Sequence, residues 1–408
     1  METSNYKIYG YRWIVLSVFM CAIAINQVLW ITFAAITGNA AIYYGVSDLS
    51  IGLLSMSFMI VYIFVSIPAS WIIDKYGIKV AVGIGIILTG IFGLLRGLVA
   101  DNFTLVLIMQ IGIAIGQPFI LNAITSVAAH WFPASERATA AGLGSLAMYL
   151  GIAIGLVLTP YLTIHYQING MLMAYGVVSI IVVIIFFLFV KNRPPTPPCS
   201  PDQEERSLVF DGLKDSVRIK DFIFLMIIFF VGLGVFNAVT TWIEDILRPR
   251  GFSIIEAGNI GGMMILGGII GAVVIPILSD RSRKRTPYLL MAVTGATLGL
   301  IGITFFNSYG LILVSAFIFG FFLLSAGPIG FQYGAEITYP TPEGTSNGML
   351  LLMGQISGIA FIFGMDSFKS VETGSMTGPL SVLIFLMVLS LVLCAKLQEA
   401  KTFTGGTN

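Results

Sequence analysis

Between Arg137 and Lys191 the chain reads ATAAGLGSLAMYLGIAIGLVLTPYLTIHYQINGMLMAYGVVSIIVVIIFFLFV, 53 consecutive residues without an Asp, Glu, Lys or Arg. A helix that crosses a bilayer needs about 20 apolar residues, so this stretch holds two. It carries its own break at Thr163–Gly170, where polar and turn-forming residues gather. Outward from it the pattern repeats. No charge falls between Arg12 and Asp48 or between Asp48 and Asp74, and the 50 uncharged residues between Arg285 and Glu336 break at Asn307–Gly310. Counted through the chain, these gaps predict twelve spanning helices. Trp13–Thr37 is too long for the apolar region of a signal peptide and has no small-residue cleavage site, so it reads as a retained first span.

Composition agrees. Of 408 residues, 57% are hydrophobic and only 10% charged, with a mean hydropathy of +0.95. An ordinary soluble enzyme carries about 25% charged residues. A balance of 21 basic to 20 acidic residues lacks the positive footprint of a nucleic-acid binder. Cys21, Cys199 and Cys394 are far apart and the chain has only two histidines, which argues against disulfides and against a metal site. Nothing in the sequence implies a cofactor.

Residues 191–221 differ from the rest, with twelve charges and five prolines. They read as an aqueous linker, with an amphipathic helix expected near Leu208–Lys220. The expected domains are a six-helix bundle over 1–190, the linker 191–221, and a second six-helix bundle over 222–408. A duplication is visible in the spacing. Asp74 after helix 2 is matched by Asp280 after helix 8, an offset of 206, and Pro133-Ala-Ser-Glu136 by Pro340-Thr-Pro-Glu343, an offset of 207. With the N-terminus inside, 17 of the 21 Lys and Arg residues fall in inner loops and tails, leaving Arg96, Arg248, Arg250 and Lys369 outside. Both termini are therefore expected in the cytoplasm. Arg96 is expected to snorkel outward.

The segment Ser70-Trp-Ile-Ile-Asp74-Lys75-Tyr-Gly77-Ile-Lys79 resembles the signature of the major facilitator superfamily, whose two halves are parallel repeats about an axis along the membrane normal. The resemblance implies a gating latch involving Asp74, Lys75 and Gly77, repeated at Asp280 and Arg281, with Glu136, Glu336 and Glu343 as further gating residues. A carboxylate at such a loop can cap a neighbouring helix. Positive-inside topology alone would account for the basic residues, but Asp74 together with Gly77 favours the latch. Arg283 stands where the second copy should have Gly, so the second latch is expected to be looser. Gly151-xxx-Gly155, Gly267-xxx-Gly271 and Gly354-xxx-Gly358 permit close helix packing, and could also form a seam on which the halves rock.

Polar and aromatic residues deep in spans need a reason, because an unsatisfied polar group there costs several kcal/mol. Asn26, Gln27 and Trp30 in helix 1 are such residues, as are Gln117 and Asn122 in helix 4, Asn237 and Trp242 in helix 7, Gln332 in helix 10 and Gln355 in helix 11. Each amide could be interhelical glue. Together they suggest a neutral, aromatic cavity suited to a small cation. Glu244 could face that cavity and neutralise the cation, whereas Asp245, Asp366 and Glu336 are expected at the interfaces. No central carboxylate lies in helices 1, 4 and 5, so no proton relay is evident.

A closer resemblance rests on Ala335-Glu336-Ile-Thr-Tyr-Pro340-Thr-Pro-Glu343-Gly344-Thr345-Ser346-Asn-Gly348, on Pro68-Ala-Ser-Trp71-Ile-Ile-Asp74, on Gln117-Pro-Phe-Ile-Leu121 and on Gly354-Gln355-Ile-Ser-Gly358. These resemble the feline leukaemia virus subgroup C receptor-related family, facilitators of choline and ethanolamine for which haem export has also been proposed. The resemblance implies that Trp30 stacks on a quaternary ammonium, with Gln117 and Gln355 in the same pocket. The family's cavity tyrosine falls at Asn237, which leaves Trp242 to complete an aromatic cage.

The expectation is therefore an all-α polytopic membrane protein of the major facilitator fold, twelve helices in two pseudo-symmetric bundles. It moves a small organic solute, a choline-like amine, by facilitative alternating access, and is not an enzyme. It is expected to act as a monomer in the plasma membrane, with the bilayer and the solute as partners and no nucleic acid. The alternatives are a proton-coupled exporter of drugs or organic anions and, in another class, a membrane receptor or sensor.

Overall fold

The structure, a computed structural model, describes residues 8–198, 216–339, 341 and 343–400, with backbone alone at 134 and 343. The expected linker helix at 208–220 lies mostly outside the described residues. The chain divides into two compact units, Met1–Ser207 and Leu208–Asn408.

The first unit is built from α1 (Tyr11–Ile31), α2 (Thr37–Tyr44), α3 (Asp48–Tyr76), α4 (Ile78–Leu98), α5 (Phe103–Leu121), α6 (Ile124–Trp131) and α7 (Arg137–Phe189). The second contains α8 (Lys220–Thr241), α9 (Ile243–Leu247), α10 (Ile254–Ser282), α11 (Thr286–Phe305), α12 (Tyr309–Thr338), α13 (Glu343–Ser367) and α14 (Thr377–Cys394). Among the described residues, 11 helices are long and apolar enough to cross a membrane. The longest, α7, has 53 residues and is two helices joined at Gln167, where φ is 57° and ψ 177°. Twelve spans result, six in each unit. Both expected internal breaks occur, at Gln167 and between Phe305 and Tyr309.

Local chemistry sets the ends. Ser47 and Asn102 cap α3 and α5 by accepting from the Ser50 and Leu105 amides at 3.2 and 3.1 Å. Ser253 and Glu256 form a reciprocal capping box on α10. The break in α7 is anchored outside the spans: Asn169 donates to the Asp101 carboxylate at 2.6 Å, and Tyr43 lies 2.6 Å from the same oxygen. These donors hold the Asp101 carboxyl below its ordinary range. The stabilisation is present above the pKa of the unfolded carboxylate and is lost as pH falls through the folded one.

The small-residue motifs pack within each unit. A Cβ on Gly151 would lie 2.4 Å from the Ala24 carbonyl of α1, and one on Gly271 would lie 1.8 Å from the Phe321 carbonyl of α12. Gly354 faces Leu233 of α8. These positions therefore set interhelical distance inside a bundle, as the packing explanation requires. Gly271→Ala is expected to force α10 and α12 apart and destabilise the protein by about 1–3 kcal/mol. Gly364→Ala, whose Cβ meets nothing within 4 Å, serves as control. Thermal midpoints in detergent read the difference, and equal midpoints would contradict the packing account.

Candidate functional site

In the first unit Trp30 lies at the end of α1, with 6% of its surface exposed. Its indole N–H donates to the Ser55 carbonyl of α3 at 3.2 Å, so the ring is fixed and only its faces remain to interact. The amides in this unit's spans divide into two kinds. Asn26 donates to Thr89 at 3.1 Å, and Gln27 donates to Asn26 at 3.4 Å. Asn122 accepts from Tyr62 at 2.7 Å and donates to the Ser66 carbonyl, the Ser66 hydroxyl and the Ser70 hydroxyl at 2.9–3.1 Å. Asn26 and Asn122 are interhelical glue, and Gln27 is tied to Asn26 on its own helix. Gln117, 7% exposed on α5, makes no hydrogen bond among the described residues.

The second unit shows the same division. Asn237 on α8 donates to the Gly354 carbonyl of α13 at 3.2 Å. Gln355, half-buried on α13, makes no hydrogen bond among the described residues. Trp242 differs from expectation: it has no exposed surface, and its N–H donates to the Ile362 carbonyl at 3.0 Å. Packing encloses this ring, so it offers no open face to complete a cage. Glu244 is also buried, and it pairs with Arg248 at 3.2 Å. Asp245 is fully buried, pairing with Arg248 and with Lys369 at 3.2 Å. The i+3 and i+4 placement of Arg248 turns two isolated acids into a neutralised cluster. Arg96 does not snorkel. It is fully buried, bonded to the Leu29 carbonyl, Gln110 and Thr32.

The two signature regions carry different partners. Asp74 and Lys75 are exposed; Asp74 makes no hydrogen bond among the described residues, and the Lys75 ammonium sits 4.6 Å from the Trp71 ring centroid. Gly77 ends α3 at φ +83°, a conformation that suits a residue without Cβ. Glu136 forms a two-pronged pair with Arg12 at 3.1 and 3.3 Å. In the second unit Arg285 gathers the carboxylates. It pairs with Asp280 and donates to Glu336 from Nε and Nη2 at 3.2 and 3.1 Å. Its side chain is 8% exposed and that of Glu336 is 10% exposed. Despite partial burial, these carboxylates raise the Arg285 pKa. Arg283 takes the left-handed conformation at φ 53° that Gly was expected to supply. The second signature is therefore the more tightly bonded within its unit, opposite to expectation. Arg281 is exposed, and the Glu343 side chain lies outside the described set.

One correspondence was missed in the sequence. The Asn192 side chain accepts from the Lys79 amide at 3.2 Å, at the start of α4. Glu399 accepts from the Arg285 and Thr286 amides at 2.9 Å, at the start of α11. The acceptors are 207 residues apart and Lys79 and Arg285 are 206 apart, the same spacing as the Asp and Pro-x-x-Glu landmarks. A residue following the sixth span of each unit thus caps that unit's third span. The searchable signal was an acceptor side chain at the established offset.

Comparison with known proteins agrees with this architecture. The Major Facilitator Superfamily profile matches residues 15–362. Solute carrier family 49 member A3 of Xenopus tropicalis is 31% identical over 379 residues, 88% of this chain and 78% of that protein. The human choline/ethanolamine transporter FLVCR2 is 28% identical over 405 residues, 94% of this chain and 77% of that one. An uncharacterised MFS-type transporter of Caenorhabditis elegans, C09D4.1, is 30% identical over 88% of this chain, which spans 64% of that relative's length. Among solved structures, a bacterial homologue of the human lysosomal transporter Spinster, inward-facing and unoccupied, aligns with a TM-score of 0.71, covering 97% of each chain at 16% identity. With six spans in each of two units, a signature repeated at one offset, and these matches, the chain belongs to the major facilitator superfamily of membrane transporters and, within it, to solute carrier family 49.

Proposed function

We propose that this protein is a facilitative transporter of a choline-like amine, acting as a monomer in the plasma membrane with both termini cytoplasmic and performing no enzymatic reaction. The solute contacts are Trp30, through the face of its ring, and the amides of Gln117 and Gln355, with Asn237, whose nitrogen is bonded to the Gly354 carbonyl, offering only its side-chain oxygen. The observation that carries this reading is the contrast among intramembrane amides. Asn26, Gln27 and Asn122 are bonded to protein, whereas Gln117 and Gln355 make no hydrogen bond among the described residues. A polar group left without a protein partner in a span is expensive unless water or solute meets it. Similarity to relatives named as choline/ethanolamine transporters points to an amine. The pairing of Glu244 and Asp245 with basic side chains leaves cation–π attraction and amide dipoles as the means of holding it.

The solute site is thus neutral, and the cycle needs no titrating carboxylate. Asp74, Lys75, Gly77, Glu136, Asp280, Arg281, Glu336 and Glu343 are assigned to gating during alternating access. Gln117→Leu and Gln355→Leu are expected to weaken choline binding about two- to tenfold each, from loss of one hydrogen bond. Neither substitution orphans a partner, so the thermal midpoint stays near wild type. Asn122→Leu does orphan Tyr62, Ser66 and Ser70, so it lowers stability instead. Titration calorimetry with choline and thermal unfolding on the same preparations check both halves. Unchanged affinity in both glutamine variants would remove them from the site.

A further inference from the structure

The first span is discontinuous at a place where its sequence has no helix-breaking residue. Helix α1 ends at Ile31 and α2 begins at Thr37, yet Thr32-Phe33-Ala34-Ala35-Ile36 contains neither Pro nor Gly. A break of this kind needs a side chain inserted against the helix ladder. The Thr32 hydroxyl turns back to the Val28 and Leu29 carbonyls at 2.8 and 3.2 Å, and Arg96 of α4 and Gln110 of α5 insert against the same ladder. Arg96 Nη1 donates to the Leu29 carbonyl at 3.2 Å and to Gln110 Oε1, while Nη2 reaches the Thr32 hydroxyl at 3.4 Å. Gln110 Nε2 donates to the same Leu29 carbonyl at 3.1 Å and to the Leu54 carbonyl of α3 at 3.4 Å. Both side chains are fully buried. No ion pair involving Arg96 occurs among the described residues, and its guanidinium lies 5.7 Å from the Phe33 ring centroid. Its charge therefore rests on the carbonyl end of α1, where the helix dipole is negative.

Leu29 and Leu54 immediately precede Trp30 and Ser55, the pair joined by the indole hydrogen bond. Gln110 thus ties α1 to α3 one residue before the point at which the ring is fixed. We propose that Arg96 and Gln110 are positioning residues for Trp30, holding the break in the first span so that the ring is presented in one orientation to the solute. The brace belongs to the first unit alone. At the same offset of 206, the second unit has Gly302 and Ala316 in place of Arg96 and Gln110. There the break at Trp242 is met by that residue's own bond to the Ile362 carbonyl.

This inference rests on the reading of Trp30 as a solute contact, so its test needs a readout independent of choline. Protein labelled with 5-fluorotryptophan provides one, the Trp30 fluorine resonance being identified by its loss in Trp30→Phe. In Gln110→Leu and Arg96→Lys the Trp30 resonance is expected to shift or broaden, while those of Trp13, Trp71, Trp131 and Trp242 stay in place. Choline KM measured in liposomes is expected to rise about two- to tenfold, the effect of having to order one side chain on binding, with Vmax per folded transporter little changed. Asn122→Leu, another buried amide bonded away from α1, moves neither readout even though it lowers stability. A Trp30 resonance and a KM that stay at wild-type values in both variants would overturn the proposal. A displaced resonance with choline affinity indifferent to Trp30 would support the brace and overturn the choline reading instead.

Discussion

Trp30→Ala is expected to bind choline about 5- to 30-fold more weakly than wild type, the loss of a desolvated cation–π contact of about 1–2 kcal/mol. Trp242 is enclosed in its own unit with its N–H bonded to Ile362, and Glu244 is neutralised by Arg248, so neither offers a substitute. Trp30→Phe keeps a weaker ring face and falls between the two. The indole N–H is bonded to the Ser55 carbonyl, so alanine also leaves that carbonyl without its donor. Stability must therefore be measured alongside affinity. Calorimetric titration of purified protein with choline and with an uncharged isostere separates the terms: the isostere should be indifferent to the substitution. Equal losses for both ligands would mean that the ring contributes shape rather than charge recognition.

Arg285→Ala is expected to be the most destabilising single change at the signature regions, by about 3 kcal/mol, because removing one partner of a buried pair strands the other. Arg285 and Glu336 are 8% and 10% exposed, so Glu336 would be left charged and poorly solvated, with Gln332 its remaining donor among the described residues at 3.0 Å. Asp280, 65% exposed, can turn to water, so Asp280→Asn should cost far less. Asp74→Asn provides the opposite case. Asp74 makes no hydrogen bond among the described residues, so its substitution should leave the thermal midpoint near wild type. If Asp74 serves in gating, that variant lowers transport rate without lowering stability, whereas Arg285→Ala lowers both. Thermal unfolding and initial uptake rates on the same preparations distinguish them.

Much of this architecture is legible in the chain. Charge-free gaps mark the spans because a charge inside a bilayer is costly, and the 53-residue gap breaks where Gln167 and Asn169 sit. The repeat is legible as an offset because duplicated bundles keep their landmarks. Burial of polar groups is not legible in the same way. Arg96 lies two residues from the end of α4, where a sequence reading turns it outward to water. Its inward course depends on Gln110 and the Leu29 carbonyl, contributed by two other helices. Trp242 read as a cage residue by type alone, and only the fold shows α13 covering it. Arg283 was read against a Gly-bearing motif, yet a non-glycine residue can hold the left-handed turn when neighbouring bonds repay it. The second signature draws its strength from Glu336 and Glu399, residues 51 and 114 positions beyond Arg285.

Facilitative movement of a choline-like amine is decided by uptake of labelled choline into liposomes containing the purified protein. Uptake is expected to be saturable, to equilibrate rather than concentrate, to proceed without a proton or sodium gradient, to be competed by ethanolamine and to fall in Trp30→Ala. Uptake no greater than in protein-free liposomes, or uptake that appears only when a proton gradient is imposed, would contradict it.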